Sequence, residues 1–142
     1  MNLEELQKMW EKDSQIDTDL YCEESVKTAN LHAKYHSMLN TFAMLKVERE
    51  TELNTLMRDK WIYYKGKAPS KVYAEMPFDL KLTTRDEIET FVNADKDVQK
   101  CRSRLAYIEV CLNYLDSVIR MINGRGYQIK NAIEWEKFKA GF

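Results

Sequence analysis

Apolar residues recur at helical spacing along nearly the whole of this chain, and that recurrence predicts an all-α protein. Leu3, Leu6 and Trp10 fall on one face of a short acidic N-terminal helix within residues 1–16. Leu31, Tyr35, Met38, Phe42 and Leu45 follow in steps of 4-3-4-3, and after the charged stretch KVERETE the seam resumes at Leu53, Leu56 and Met57. With neither Gly nor Pro between Asp19 and Tyr64, the pattern predicts one long helix over residues 19–64, with Asp17 or Thr18 as its N-cap and a bend allowed at the charged stretch. The strongest seam comes last. Val98, Cys101, Leu105, Ile108, Leu112, Leu115, Ile119 and Ile122 step 3-4-3-4-3-4-3, an a/d heptad pattern over residues 98–123. Val110, Cys111, Val118 and Met121 widen that stripe, so the helix must bury more than one side, in a bundle or between subunits.

Breakers divide these helices. Residues 65–83 carry Gly66, Pro69 and Pro77 and read as a loop, long enough to suggest a functional one. Thr84 and Glu87 fit a capping box that opens a short helix, so residues 65–97 form a connector of loop and helix. Gly124 and Gly126 stop the heptad helix, and a last helix over 127–139 carries Tyr127, Ile129, Ile133 and Phe138. The expected architecture is a single helical domain over residues 1–142, an elongated antiparallel hairpin of two long helices with short terminal helices. Such a hairpin exposes much apolar surface for its mass, and homo-oligomerisation is the expected remedy.

Composition narrows the function. The net charge is -1 with 32% charged residues, so affinity for a polyanion must come from a local patch or from patches multiplied by assembly. Cys22, Cys101 and Cys111 are an odd number with no close pair; on one helix the last two stand about 15 Å apart, too far to bridge. This is the thiol usage of a reducing cytosol. The acidic N-terminus is no signal peptide, and no apolar run approaches the ~18 residues of a membrane span. A soluble intracellular protein is expected.

The stretch MRDKWIYYKGKAPSKVY, residues 57–73, is the most informative. Arg58, Lys60, Lys65, Lys67 and Lys71 set five positive charges against Asp59, interleaved with Trp61, Tyr63, Tyr64 and Tyr73. Cations neutralise phosphates, and flat aromatic faces stack unpaired bases without regard to their order. The competing reading makes Trp61 and Tyr64 core residues at the end of the long helix, among solvated lysines; on composition alone it carries slightly more weight. Whether Trp61 stacks on bases or lies in the core stays open. A second basic cluster, Arg120, Arg125 and Lys130, surrounds the GRG tripeptide. No strand precedes that tripeptide and no Gly-Lys-Ser/Thr is present, so it reads first as a helix stop and only secondarily as a DNA contact through Arg125 and Lys130. His32 and His36 share a helical face without a third ligand in sight. No nucleophile–base pair or nucleotide fingerprint stands out, so neither an enzyme nor a cofactor is expected.

Three landmarks carry a resemblance. Basic-x-basic-x-x-Tyr-Tyr stands at Arg58, Lys60, Tyr63 and Tyr64, NADKDV at residues 93–98, and RGYQIK at residues 125–130, near a C-terminus ending FKAGF. In this order and spacing, with the opening LEELQ, the chain resembles the UvsY recombination mediators of T4-type phages over nearly its whole length. The resemblance implies a ring-shaped homo-oligomer that binds single-stranded DNA and contacts the phage recombinase and the phage single-strand-binding protein. It implies a protein that wraps the strand, weakens the hold of the single-strand-binding protein and nucleates recombinase filaments. That work serves recombination, repair and recombination-dependent replication in the cytoplasm of the infected bacterial host. The family's DNA-binding basic pair carries over to Arg58 and Lys60, here with Arg first. The lysine-rich loop that follows extends the expected site to Lys65, Lys67 and Lys71. The acidic segments 1–24 and 86–97 fit partner contacts or simple solubility, the former more for the N-terminal helix. The rival class is a helical adaptor that oligomerises through residues 98–122 without binding nucleic acid.

Overall fold

Asn2 opens the first helix by a reciprocal cap: its side chain accepts the Glu5 N–H at 2.8 Å, and the Glu5 carboxylate accepts the Asn2 N–H at 2.9 Å. The computed structural model describes all 142 residues and contains six helices and no strand. They are α1 (Leu3–Asp13), α2 (Tyr21–Tyr64), α3 (Ser70–Glu75), α4 (Arg85–Ala94), α5 (Lys96–Asn123) and α6 (Arg125–Lys139). The chain divides into two compact units, Met1–Met44 with Glu109–Phe142, and Leu45–Ile108.

In the first unit, α1 is fixed by the full burial of Leu6, by Trp10 standing edge-on to Tyr35 at 5.3 Å, and by Asp13, which accepts the Tyr35 hydroxyl at 2.9 Å. Lys34 pairs with the same Asp13 carboxylate at 2.6 Å. Burial opposes ionisation of Asp13, but the Lys34 and Tyr35 hydrogen bonds outweigh it and hold the carboxyl below its ordinary range. Leu31, Tyr35 and Phe42 of α2 are buried, as are Cys111, Leu115, Val118 and Ile122 of α5 and Ile129 of α6. α2 is opened neither by Asp17 nor by Thr18. The Asp17 side chain accepts the Asp19 N–H at 2.9 Å in a local turn, and the Glu24 N–H bonds to the Leu20 carbonyl at the head of the helix.

The buried stripe of α5 is turned slightly from the predicted seam. Cys111 and Val118 are buried, whereas Leu112 and Ile119 are half-buried at its flank. Apolar side chains occupy adjoining helical rows there, and spacing alone does not choose between them. Gly124 ends α5 at the expected place, but Gly126 does not lengthen the stop and the last helix begins at Arg125 rather than 127. Gly124 stays in the right-handed helical region (φ -86°, ψ -4°) as the cap of α6, and Gly126 lies inside α6. The interruption is a single residue, with Gln128 N–H already bonded to the Gly124 carbonyl at 3.2 Å.

In the second unit, Ile88 and Val92 of α4 and Val98 of α5 form a buried cluster. Leu53, Leu56, Met57, Trp61 and Tyr64 of α2 pack against it, with Leu82 from the connector. Trp61 therefore belongs to the core side of the question its sequence left open. α4 begins at the predicted capping box: the Thr84 hydroxyl accepts the Glu87 N–H at 3.2 Å, and the Glu87 carboxylate accepts the Thr84 N–H at 3.4 Å. The connector, read from sequence as loop over 65–83, holds the extra helix α3. In the second unit α2 and α5 run antiparallel, Tyr64 meeting Asp95 and Met57 meeting Arg102; in the first, Glu24 near the start of α2 meets Arg125 just beyond the end of α5.

Candidate nucleic-acid interface

The C-terminal end of α2 is built by its own backbone. Gly66 takes φ +82°, its N–H bonds to the Tyr63 carbonyl at 3.1 Å, and the Lys67 N–H reaches back to the Ile62 carbonyl at 3.1 Å. This is a Schellman cap, which needs the left-handed residue that glycine supplies. It turns the chain so that the connector folds back along α2. The Tyr73 hydroxyl donates to the Tyr63 carbonyl at 2.7 Å and accepts the Ala68 N–H at 3.2 Å, while the Tyr63 hydroxyl donates to the Met76 carbonyl at 2.8 Å. Tyr63 and Tyr73 stack with centroids 5.3 Å apart, and Tyr64 stands edge-on to Phe78 at 5.0 Å. Both tyrosines expected to meet DNA are thus engaged within the protein, and Phe78 and Phe91 complete an aromatic cluster that the sequence did not single out.

The five expected cations separate into two kinds. Arg58 is 69% exposed and pairs with the adjacent Asp59, at 3.1 Å, a surface pair of little strength. Lys65, Lys67 and Lys71 are exposed. Lys60 differs: it is 14% exposed, lies 3.0 Å from Asp97 and 3.4 Å from Asp95, and stands 5.9 Å from the Tyr63 ring centroid. Its burial opposes protonation, yet the two carboxylates raise its pKa above the ordinary lysine value.

Asp95 organises this end of the unit. It sits between α4 and α5, and its Oδ1 accepts the Asp97 N–H at 2.9 Å and the Val98 N–H at 3.3 Å, capping α5. Its Oδ2 accepts the Tyr64 hydroxyl at 2.7 Å and faces Lys60. Burial works against the charge of Asp95, but the Tyr64 hydroxyl, the Val98 amide and Lys60 together hold its carboxyl below the ordinary range. The same bond, after desolvation, raises the pKa of the Tyr64 hydroxyl.

The secondary candidates part as well. Arg125 is 2% exposed, with its guanidinium paired to the Glu24 carboxylate and bonded to the Glu24 carbonyl and, at 2.8 Å, to the Thr28 hydroxyl. Arg125 is therefore a structural cation inside the first unit and is not available to a phosphate. Lys130 is exposed and borders an open groove with Tyr21, Val26 and Ile133. His32 and His36 stack at 5.5 Å, and no group of three or more His, Cys, Asp or Glu is placed to hold a metal. No helix is long and apolar enough to cross a membrane.

A sequence profile of the family described as recombination, repair and ssDNA binding protein UvsY matches residues 9–142. The chain belongs to the UvsY family. It is 28% identical to the recombination protein uvsY of Enterobacteria phage T4, over 99% of both chains. Its fold matches a crystal structure of the bacteriophage T4 recombination mediator protein UvsY with a TM-score of 0.85, at 26% identity over 99% of each chain. A second lattice form of that T4 protein superposes with a TM-score of 0.82 and covers 98% of this chain.

With the UvsY family established, the three sequence landmarks acquire physical meanings. The first and second meet: Lys60 and Tyr64 of one are held by Asp95 and Asp97 of the other. The third places Arg125 beneath Glu24. Asp95 stands within the NADKDV landmark, but sequence reasoning assigned it no role of its own and placed it in an acidic segment read as solvated or partner-facing. Its only local signal is its position at the start of a helix, where an N-cap aspartate is expected.

Proposed function

We propose that this chain is a recombination mediator, a binding protein rather than an enzyme, that holds single-stranded DNA through the exposed cations from the last turns of α2 to the start of α3. Arg58, Lys65, Lys67 and Lys71 neutralise phosphates; Lys60, Tyr63 and Tyr64 position that end of the unit. The observation that carries the reading is the family membership over residues 9–142, joined to a run of exposed cations on a segment anchored by tyrosine hydrogen bonds. Lys130 plays a lesser part, and Arg125 plays none.

A single such site binds weakly at cellular salt, so the protein acts as a ring-shaped homo-oligomer that repeats the site along one strand. Exposed Tyr107, Val110, Met121, Tyr127, Trp135 and Phe138 on α5 and α6 support self-association. By favouring a bent strand over the one held by the phage single-strand-binding protein, the ring opens sites for the phage recombinase. Both proteins are its partners in the host cytoplasm.

The test is fluorescence anisotropy of a labelled single-stranded oligonucleotide over a salt series. Alanine at Arg58, Lys65, Lys67 and Lys71 together should flatten the slope of log K against log salt by about 0.7 for each phosphate no longer neutralised. The oligomer size should be unchanged. A parent that binds no oligonucleotide at low salt would leave a helical adaptor instead.

A further inference from the structure

Between the last turns of α2 and the short helix α3 lies an open groove of about 390 Å3. Ile62, Ala68, Pro69, Val72 and Met76 supply its apolar wall, with Tyr63 among them and Asp59 and Lys60 beside it. The groove exists because α3 is held away from the core. α3 has six residues, none of them buried, and no side-chain cap. It is tied to Tyr63 instead, through the Tyr73 hydroxyl before the groove's far end and through the Met76 carbonyl at it. Val72 is left 37% exposed, Ile62 38% and Met76 55%, so part of this apolar surface stays open to solvent.

Apolar surface left open beside a run of cations is an unusual combination, and it meets both requirements of one class of ligand. A nucleotide of a single strand offers a flat, weakly hydrated base and a phosphate on either side of it. The groove's volume falls in the range of small-ligand sites, and Asp59 is its only negative lining residue. Lys67 and Lys71 bracket Ala68, Pro69 and Ser70 in sequence, with Lys65 just before them, and all three lysines are exposed. A neutral apolar peptide would satisfy the wall but would leave the three cations without a purpose. We infer that this groove receives an unpaired base of single-stranded DNA, with the flanking phosphates on Lys65, Lys67 and Lys71. The inference rests on the proposed DNA-binding function and adds a base-holding slot to it. A paired base cannot enter, so the slot favours single strands over duplex.

The test compares the full-length protein on an oligothymidine and on an abasic strand with the same number of phosphates, at one moderate salt concentration. The parent should bind the oligothymidine about tenfold more tightly, as ~1.4 kcal/mol of base contact requires. The variant Val72→Ser, Met76→Ser should bring that ratio within about twofold while leaving affinity for the abasic strand unchanged. Both positions are exposed, and circular dichroism with a size measurement checks the fold. The parent alone already decides against the idea if it holds abasic and base-bearing strands equally. A variant that loses affinity for both strands alike also overturns it and marks the groove as structural or as a protein-docking surface. Binding to neither strand by the parent would remove the DNA-binding function itself, a different result from equal binding to both.

Discussion

Asp95 is the residue whose removal the structure makes most informative, because one carboxylate does three separable things. It caps α5 through the Asp97 and Val98 amides, accepts the Tyr64 hydroxyl, and neutralises Lys60. Replacing it with Ala loses the cap, at about 1 kcal/mol, and strands a half-buried tyrosine hydroxyl, at about 1–3 kcal/mol. Lys60 keeps Asp97, so its share is smaller. The total for Asp95→Ala is about 2–4 kcal/mol. Asp95→Asn keeps an oxygen for the cap and exchanges a charged acceptor for a neutral one, at about 1 kcal/mol. Acid separates the two effects further. The folded-state pKa of Asp95 lies below its ordinary value of 3.8, so its stabilisation is complete above that value and is lost as pH falls through the folded pKa. Urea denaturation at fixed protein concentration, at pH 7 and in steps below pH 4, should therefore show Asp95→Asn losing less stability in acid than the parent. A residual acid dependence is expected from Asp13, whose pKa is also depressed. If Asp95→Ala costs under 0.5 kcal/mol, or if the Asn variant follows the parent through the acid range, the network does not hold this end of the unit as described.

Other outcomes follow from the same kind of reasoning. Arg125→Met leaves the buried Glu24 carboxylate with only the more exposed Lys27, 3.8 Å away, and should cost about 3 kcal/mol in urea denaturation, partly recovered by Glu24→Gln in the same chain. The glycines should split in sign: Gly66→Ala, at φ +82°, should destabilise by about 1 kcal/mol. Gly126→Ala, inside α6 with nothing within 4 Å of the added methyl, should stabilise by up to about 1 kcal/mol. Trp61→Ala should lower stability by about 2–3 kcal/mol through the α4–α5 cluster, and leave the salt slope of oligonucleotide binding by the folded protein unchanged.

How much of this could be read from the chain depends on the range of the interaction. The helices and the Thr84–Glu87 box are local, and their periodicity and capping chemistry were visible. α3 was not, because six residues carry too little periodicity and it is fixed by Tyr63 and Tyr73 rather than by its own propensity. On α5 the expected Val98, Ile108, Leu115 and Ile122 are buried, but Cys111 and Val118 replace Leu112 and Ile119 between them, since both members of each pair are apolar. Gly124 and Gly126 were read as a stop because glycine is a poor helix former, yet burial of Arg125 and Ile129 resumes the helix immediately. The candidate site suffered most. Arg58 and Lys60, two residues apart, look equivalent as a sequence; only a carboxylate far along the chain distinguishes them. Arg125 likewise reads as a surface cation until Glu24, 101 residues away, is seen beside it.

That distinction between Arg58 and Lys60 can be tested without presuming either role. A cation that contacts phosphate releases counterions on binding, so its loss lowers the salt slope by about 0.7; a cation already neutralised by the protein contributes almost nothing to that slope. Arg58→Ala should thus flatten the slope with little change in stability. Lys60→Met, which keeps the apolar stem, should do the reverse and leave the Asp95 and Asp97 carboxylates facing each other. Asp97→Asn supplies the converse perturbation. Its side chain is 65% exposed, so the change is tolerated, and it loosens Lys60 toward solvent. Oligonucleotide affinity should rise severalfold, and the rise should vanish when Lys60→Met is already present, because it depends on that ammonium. A rise of equal size in both backgrounds would be the general effect of removing one negative charge. Flattening of the slope by Lys60→Met to the same extent as by Arg58→Ala would mean that DNA takes Lys60 from its two carboxylates, and that the free and bound forms of this end of the unit differ.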